Sequence, residues 1–201
     1  MDVCDSVVGL VYLSPILLAA AVFIRIEDGG PIFVRQMRLG KGAVPFGALK
    51  FRTHRVINSG SSPNNVAIDT ALTSSEQVYR PGAPTRVGRL LRCSSIDHLP
   101  LLVNILRGEM SLVGPHAALL GTANSMEKAY PGWSKRFACR PGLTGYAQVE
   151  TFRQGMSKDY VRRMVDLDAR YIAERNLRRD IYLIAQTVIV IFTGRITPEI
   201  E

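Results

Sequence analysis

The chain has 201 residues, of which 47% are hydrophobic and only 7% aromatic, so it suits one domain with aliphatic helix packing better than a β-sandwich. Its 25 lysines and arginines against 17 aspartates and glutamates give a net charge of +8, which favours an anionic partner such as a phosphorylated ligand or acidic lipid. The three cysteines lack metal-ligand spacing, which argues against a disulfide framework and a zinc site.

The first predicted element is an apolar helix, because residues 7–24 are 18 positions without a charge. That length is at the lower limit for spanning a bilayer. Pro15 removes a backbone donor, so we expect a kink just before it, with Ser14 bonding to a carbonyl that the proline leaves open. Charges flank both ends, so the residues alone leave a spanning helix and a re-entrant helix open.

Two short extended segments are predicted at residues 29–36 and 44–53, around a glycine-rich turn at residues 40–42. Lys50 and Arg52 lie two positions apart on the second segment, so their side chains are expected to face the same way. Such a pair can contact a phosphate, although a solvated strand edge gives the same pattern.

The most informative block covers residues 89–115 and reads RLLRCSSIDHLPLLVNILRGEMSLVGP. Its apolar spacing predicts one helix that begins with Ser94 or Ser95 as its cap and ends at Gly108. Asp97 would then lie in the first turn, where unpaired backbone N–H groups favour a charged carboxylate. By itself Asp97 is interpreted as a helix cap, but a carboxylate held in this way can also act as a nucleophile or metal ligand.

This block resembles the signature of the small monotopic phosphoglycosyl transferases, the bacterial sugar transferase family. That family carries Ser-(Leu/Ile)-Asp-Glu-Leu-Pro, followed by Asn-Val-Leu-Arg-Gly-Asp-Met-Ser-Leu-Val-Gly-Pro-Arg-Pro. Asp97 matches the aspartate, whereas His98 stands where the family has glutamate and His116-Ala117 where it has Arg-Pro. Another alignment treats the second difference as a deletion of two residues, because some members continue Gly-Pro-Arg-Pro-His-Ala. Either way, a guanidinium that can clamp phosphate is missing.

The resemblance extends over essentially the whole chain. Residues 30–40 match Gly-Pro-(Val/Ile)-Phe-x-x-Gln-x-Arg-x-Gly, and residues 46–53 match Phe-x-x-x-Lys-Phe-Arg-Thr. Residues 140–149 resemble Arg-Pro-Gly-(Ile/Leu)-Thr-Gly-(Trp/Leu)-Ala-Gln-Val, and their proline and glycines predict a tight, backbone-exposed loop able to approach a phosphate or a base. Residues 58–85 are expected to form a loop, and there the family charges are absent.

The resemblance implies a role for individual residues. Asp97 and His98 are the candidate catalytic residues, and the candidate substrate-binding residues are Lys50, Arg52, Arg92, Arg140 and Asp168. Two of these have an alternative role that is purely structural or membrane-related. Arg92 shares a basic helix face with Arg86 and Arg89 that can meet lipid headgroups. Asp168 can instead form a buried salt bridge with an arginine.

With the family resemblance, the re-entrant form of the N-terminal helix is favoured over the spanning form. We therefore expect a mostly helical α+β fold, with a kinked re-entrant membrane helix at residues 1–28 and a small membrane-associated catalytic domain at residues 29–201. Residues 181–192 are too few to span a bilayer and predict a helix on the membrane surface or in the core. The resemblance places the chain on the cytoplasmic face of the bacterial inner membrane. Family members usually carry a Lys-Arg pair before the aspartate that matches Asp5. This chain starts too late to show that pair, so either the start was chosen short or an N-terminal anchor has been trimmed.

The implied activity is transfer of a phosphosugar from a UDP-sugar to a polyprenol phosphate such as undecaprenyl phosphate. The family route is an aspartyl-phosphosugar intermediate with release of UMP, at the start of glycan or exopolysaccharide assembly. Both substrates are anionic, so Mg²⁺ is expected, with Asp97 as its protein ligand. The alternative is a catalytically impaired, membrane-anchored homologue with a binding or regulatory role, which the replacements at His98 and His116 favour. A nucleic-acid partner is not expected, because the sequence has no recognition-helix signature or aromatic platform.

Overall fold

The computed structural model describes residues 2–56, 81–154 and 159–193, which form a mostly helical α+β fold. The helices are α1 (Asp2–Asp28), α2 (Arg86–Cys93), α3 (Leu101–Leu106), α4 (Ala123–Ala129), α5 (Tyr146–Gln154), α6 (Tyr160–Glu174) and α7 (Leu177–Phe192). The strands are β1 (Phe33–Leu39), β2 (Pro45–Phe51), β3 (His54–Val56), β4 (Pro81–Pro84), β5 (Ser111–Val113), β6 (Ala118–Leu119) and β7 (Gly142–Thr144). The predicted fold class is confirmed, whereas most of the loop predicted at residues 58–85 lies outside the described residues.

Strands β1 and β2 form an antiparallel hairpin, with Phe33 opposite Phe51 and Leu39 opposite Pro45. A 3₁₀ turn, Lys41–Ala43, joins them, and its Gly42 has a φ of +69°, a conformation that favours glycine. Strand β6 pairs with the other side of β1, so the strand order is β2-β1-β6. The two predicted extended segments and the turn between them are therefore confirmed, and β2 is an edge strand of this sheet.

A side chain of α3 occupies the open edge of β2. The fully buried Asn104 accepts a hydrogen bond from the Leu49 N–H through Oδ1 at 2.9 Å and donates to the Gly47 carbonyl through Nδ2 at 2.8 Å. Its amide thus makes the bonds that a neighbouring strand would make. The same Nδ2 donates to Glu109 Oε2 at 2.7 Å. Hydrogen bonds as well as apolar contacts therefore fix α3 to the hairpin.

Two apolar clusters join α1, α3 and the hairpin. The first is made by Phe46, Ala48, Leu101, Leu102, Ile105, Met110 and Ala117, with Leu10 and Leu13 of α1 packed against it. The second is made by Ala20, Ile24, Phe51 and Leu91, with Ile96 packed against it. Successive turns of α1 therefore pack on the domain, and Ile96 brings the neighbouring Asp97 to the Phe51 end of β2.

Helix α1 is continuous through Pro15. Ser14 Oγ donates to the Val11 carbonyl at 2.7 Å, which is the acceptor that Pro15, lacking an N–H, leaves open. This hydrogen bond confirms the one predicted for Ser14. Among the described residues, α1 is the one helix long and apolar enough to cross a membrane, and little of it is buried. The re-entrant kink stays a prediction.

Both ends of α1 form polar contacts with the domain. At the start, Asp2 Oδ2 accepts from Ser111 Oγ at 2.8 Å. At the end, Glu27 accepts from the first two backbone N–H groups of α2 at 2.6 and 3.1 Å, and therefore caps that helix. The Asp28 carboxylate pairs with both terminal nitrogens of Arg52.

The helix predicted from Ser95 to Gly108 is divided in two. A 3₁₀ turn, Ile96–His98, precedes α3, and Pro100 lies between them. A proline at this position has no N–H for the carbonyl four residues earlier and its ring collides with the preceding turn, so one α-helix cannot continue through it. The predicted end is confirmed, because Gly108 has a φ of +76° and the following N–H bonds to the Asn104 carbonyl at 3.0 Å.

The predicted serine caps are wrong. Ser94 Oγ donates back to the Leu90 carbonyl at 2.8 Å and so belongs to the end of α2. Ser95 makes no capping bond and has a φ of +56°, in the left-handed region that is strained for a residue with a side chain. The chain therefore turns sharply between α2 and Asp97.

The glycine-rich segment after Arg140 is not the exposed loop that was predicted. Residues 142–144 form β7, which runs parallel to β5. Gly142 and Gly114 face each other so closely that neither position has room for a Cβ atom. These glycines serve the close approach of two backbones, a use that their spacing does not distinguish from a ligand-facing loop.

Replacing Asn104 by leucine should lower the free energy of unfolding by about 3 kcal/mol, because two backbone groups of β2 and the Glu109 carboxylate lose their partner. Urea unfolding of the detergent-solubilised protein measures this loss. The matched control is Asn124→Leu on the exposed face of α4, which should change stability by less than about 0.5 kcal/mol. Equal losses in the two variants would contradict the role given to Asn104.

Candidate active site

Asp97 lies in the 3₁₀ turn Ile96–His98, which packs against both α2 and β2. Its residue exposure is only 6%, so the carboxylate is close to the protein interior rather than in open solvent. A carboxylate in such a place interacts more strongly with neighbouring charges than it would in water. The structure therefore buries Asp97 at the junction of α2, α3 and β2.

His98 contacts Asp97 directly. Its Nδ1 lies 3.1 Å from Asp97 Oδ1, and the His98 side chain is 29% exposed against 8% for that of Asp97. An ionised carboxylate only accepts hydrogen bonds, so Nδ1 carries the proton and donates it. Nε2, on the far side of the ring, is then the atom of a neutral His98 that can accept a proton. The two candidate catalytic residues are thus brought together.

Arg92 lies in the last turn of α2, beside the Asp97 turn. Its Nη1 is 3.3 Å from Nε2 of His54, a buried histidine at the start of β3, opposite Pro84 of β4. Sequence reasoning missed His54. Nothing in its local pattern marks it, because its partner is 38 residues away in the chain.

Lys50 and Arg52 do not form the exposed pair that their spacing predicts. Lys50 is in β2, the strand that packs against the Asp97 turn, and is half-buried. Arg52 follows the end of β2 and is 2% exposed, with its guanidinium bound to Asp28 and to the Pro31 carbonyl. A substrate contact for Arg52 stays a prediction, whereas its contacts here hold the end of α1.

Arg140 lies in another part of the fold. It is exposed and lines a cavity of about 490 Å³ together with Lys41, Glu109, Phe46 and Phe137. Asp97 is not among the residues that line this cavity. The role of Arg140 as a substrate contact therefore remains a prediction, and the cavity that it lines is separate from the Asp97 turn.

Asp168 forms the buried salt bridge that the sequence left open as an alternative. Its Oδ2 is 3.0 Å from Arg136 Nη2, with both side chains 3% exposed, and its Oδ1 accepts from the His116 backbone N–H at 3.4 Å. Burial raises the pKa of Asp168 to about 7, although the Arg136 charge opposes that rise. Arg136 also stacks on Trp133, 4.5 Å from the ring centroid. The pair joins α6 to the 3₁₀ segment Trp133–Ala138.

The chain matches a known protein family over almost its whole length. The model of the bacterial sugar transferase family matches residues 1–194. The chain belongs to the bacterial sugar transferase family. Family membership confirms the predicted resemblance and its enzyme class, since the family and its named members are phosphoglycosyl transferases.

Curated relatives of this sugar transferase carry names that describe sugar-phosphate transfer. A UDP-glucose:undecaprenyl-phosphate glucose-1-phosphate transferase of Caulobacter vibrioides is 37% identical over 94% of this chain and 67% of its own length. A UDP-N-acetylgalactosamine-undecaprenyl-phosphate N-acetylgalactosaminephosphotransferase of Aeromonas hydrophila is 32% identical over 96% of this chain, which spans 43% of that protein. An exopolysaccharide production protein of Rhizobium leguminosarum bv. phaseoli is 32% identical over 94% of this chain and 91% of its own length. The chain thus spans under half of the second relative and nearly all of the third.

The sugar transferase places a guanidinium beside His116, the residue found where the family has arginine. Arg38 of β1 is buried, with Nη1 3.3 Å from His116 Nε2 and 2.6 Å from the Ala117 carbonyl. Gln36 Oε1 accepts from Arg38 Nη2 at 2.6 Å. Arg38 is itself the arginine of the Gln-x-Arg-x-Gly motif that this chain shares with the family, so its charge lies beside His116 without replacing the missing arginine.

The donor set at Asp97 is compatible with Mg²⁺. Among residues 2–56, 81–154 and 159–193, no group of three or more histidine, cysteine, aspartate or glutamate side chains converges on one point. Mg²⁺ does not need such a group, because it commonly binds one or two carboxylates and takes its other ligands from substrate phosphates and water. Asp97 fits the role of the single protein ligand.

Proposed function

We propose that this sugar transferase moves a phosphosugar from a UDP-sugar to a polyprenol phosphate at the cytoplasmic face of the bacterial inner membrane. The observation that carries the proposal is the contact between Asp97 and His98 in a turn that buries the aspartate, at the position of the family Asp-Glu pair. The names of the Caulobacter and Aeromonas relatives support UDP-sugars and undecaprenyl phosphate as the substrates.

The proposed reaction has two displacements at one phosphorus atom. In the first, an Asp97 carboxylate oxygen attacks the β-phosphorus of the UDP-sugar, and the bond to the bridging oxygen breaks. UMP leaves with that oxygen and its electron pair, and the phosphosugar remains on the carboxylate. In the second, an oxygen of the polyprenol phosphate attacks the same phosphorus and the bond to Asp97 breaks. The products are a polyprenol diphosphate sugar and a free carboxylate.

His98 orients the nucleophile in this scheme. Its Nδ1–H donates to one carboxylate oxygen of Asp97, which leaves the other oxygen to face the substrate. Because Nδ1 is the donor, His98 does not remove a proton from Asp97. Its Nε2 is instead the available base for a proton on the incoming lipid phosphate.

Cations near the Asp97 turn suit the charge of the substrates. Arg92 from α2 and Lys50 from β2 come from the two elements that pack against this turn. A diphosphate requires such neutralisation as it approaches a carboxylate. Mg²⁺, held by Asp97, would supply further neutralisation of the diphosphate when bound.

The contacts of α1 support a helix that enters the bilayer without crossing it. Asp2 and Asp28 both bind groups of the domain, so the two ends of α1 remain on the side of the membrane where the domain lies. The face of α1 that points away from the domain carries large exposed apolar side chains, including Val8, Val11 and Leu18. Such a face suits contact with acyl chains.

Asp97→Asn should reduce UMP release by at least 1,000-fold, because an amide is neither a nucleophile nor a good Mg²⁺ ligand. UMP formation from a panel of UDP-sugars, with purified protein and polyprenol phosphate, measures this. Asp166→Asn, the same change at an exposed position of α6, is the control and should keep full activity. Full activity in Asp97→Asn, or a phosphosugar adduct trapped on another residue, would end the assignment.

Variants at His98 separate an active transferase from an impaired homologue. His98→Ala should lower kcat by about 100-fold, whereas His98→Glu should retain turnover, because both imidazole and carboxylate can accept a proton. Steady-state UMP release, with thermal unfolding as a check on folding, tests both. Unchanged turnover in His98→Ala would remove His98 from the mechanism. Activity confined to His98→Glu, with the parent silent on every sugar, would establish the impaired homologue.

Single-cysteine variants test the position of α1 in the membrane. Cys4 near the start of α1 and Cys93 at the end of α2 are both exposed, whereas Cys139 is buried. A membrane-impermeant maleimide should label Cys4 and Cys93 in inverted vesicles and neither of them in right-side-out vesicles. Labelling of Cys4 alone in right-side-out vesicles would show that α1 crosses the bilayer.

A further inference from the structure

We propose that His54 is a positioning residue that fixes the Arg92 guanidinium for the diphosphate of the nucleotide sugar. This inference rests on the proposed function for its substrate. His54 Nε2 lies 3.3 Å from Arg92 Nη1. The guanidinium of arginine has only hydrogen-bond donors, so His54 Nε2 must be the acceptor and carry no proton.

The other ring nitrogen of His54 agrees with this assignment. Nδ1 lies 2.9 Å from Thr53 Oγ1, and it carries the proton of the neutral ring and donates to the hydroxyl. His54 is only 8% exposed, so its ring has little freedom to turn. Because Arg92 can only donate, His54 accepts from Arg92 through Nε2 and donates to Thr53 through Nδ1.

The backbone that carries His54 is fixed independently of its side chain. The Thr53 carbonyl accepts from the Thr85 N–H at 3.0 Å, and α2 packs so tightly there that Gly88 has no room for a Cβ atom. On the other side, Arg52 Nη1 donates to the His54 carbonyl at 3.4 Å. Helix α2 and the histidine that holds its last arginine thus form one rigid unit.

This rigidity matters because arginine is a long side chain with several rotatable bonds. An unrestrained Arg92 loses rotamer freedom when it binds the diphosphate, whereas a guanidinium already held by His54 loses less. His54 therefore acts on substrate affinity through Arg92 and has no contact with the reacting atoms in this scheme. A charge-assisted hydrogen bond of this kind corresponds to about a tenfold change in affinity.

The geometry is tested directly by nitrogen-15 NMR of the three histidines of the full-length protein. His54→Gln identifies the His54 signals by their loss. The ring should be the neutral tautomer with its proton on Nδ1, and Arg92→Ala should shift the Nε2 resonance, whereas Arg89→Ala should not. Arg89 lies on the exposed face of α2, one turn earlier. A proton on Nε2 in the parent would overturn the proposal, whatever the activity of the protein.

The functional effect is tested by a double-mutant cycle. His54→Leu should raise the KM for the UDP-sugar, and the Kd for UDP in calorimetry, about tenfold with kcat within about twofold. His54→Gln should restore both values, because its amide oxygen can accept from Arg92. His54→Leu should add nothing in an Arg92→Ala background but should be additive with Arg89→Ala.

The outcomes distinguish this proposal from the proposed function. Unchanged UDP affinity in His54→Leu, or additivity with Arg92→Ala, would overturn the role of His54. Coupling of His54 and Arg92 in UDP binding by a protein that releases no UMP would support that role and overturn the transferase activity. A parent chain that does not bind UDP would overturn both.

Discussion

The position of the Asp97 turn depends on the amide of Asn104. An edge strand presents unpaired N–H and carbonyl groups, which are available to hydrogen-bond with another segment or another chain. In this chain Asn104 satisfies two of those groups on β2, and Glu109 completes the hydrogen bonding of the same amide. Helix α3 is therefore held in a fixed position along the strand. The position of the turn just before α3, which carries Asp97, is fixed with it. Apolar packing alone would allow α3 to slide along β2.

A second constraint acts at the C-terminal end of α1. Glu27 and Asp28 are neighbours at the end of α1, yet they bind different parts of the domain: one caps α2 and the other pairs with Arg52. Burial of the Arg52 guanidinium is tolerated because the ion pair and a backbone carbonyl satisfy it. The position of α1 and the orientation of α2 are consequently linked through the contacts of these two neighbouring residues.

The sequence was sufficient to predict those elements that depend only on residues close together in the chain. Three predicted features depend on neighbouring residues, and all three are present: the extended segments around the turn at residues 40–42, the basic helix before Asp97 and the glycine end of α3. Pro100 is also a signal within the sequence, but the predicted helix ran through it although an α-helix cannot continue through such a proline. Leu49, Arg92 and Ala117, the distant partners of Asn104, His54 and Arg38, are between 38 and 79 residues away from them. No periodicity reports such pairings, because they arise only when the chain is folded.

The contacts at the two ends of α1 have a consequence for the order of assembly. This helix is made before its partners, because Arg86 and Ser111 are 59 and 109 residues further along the chain than the residues they bind. While the ribosome is still producing those residues, the acidic ends of α1 have only water or lipid headgroups to contact. Closing so long a loop is slow and entropically costly. The final position of α1 on the domain is thus set when the domain completes its folding, and an interrupted synthesis leaves an apolar helix without the contacts that orient it.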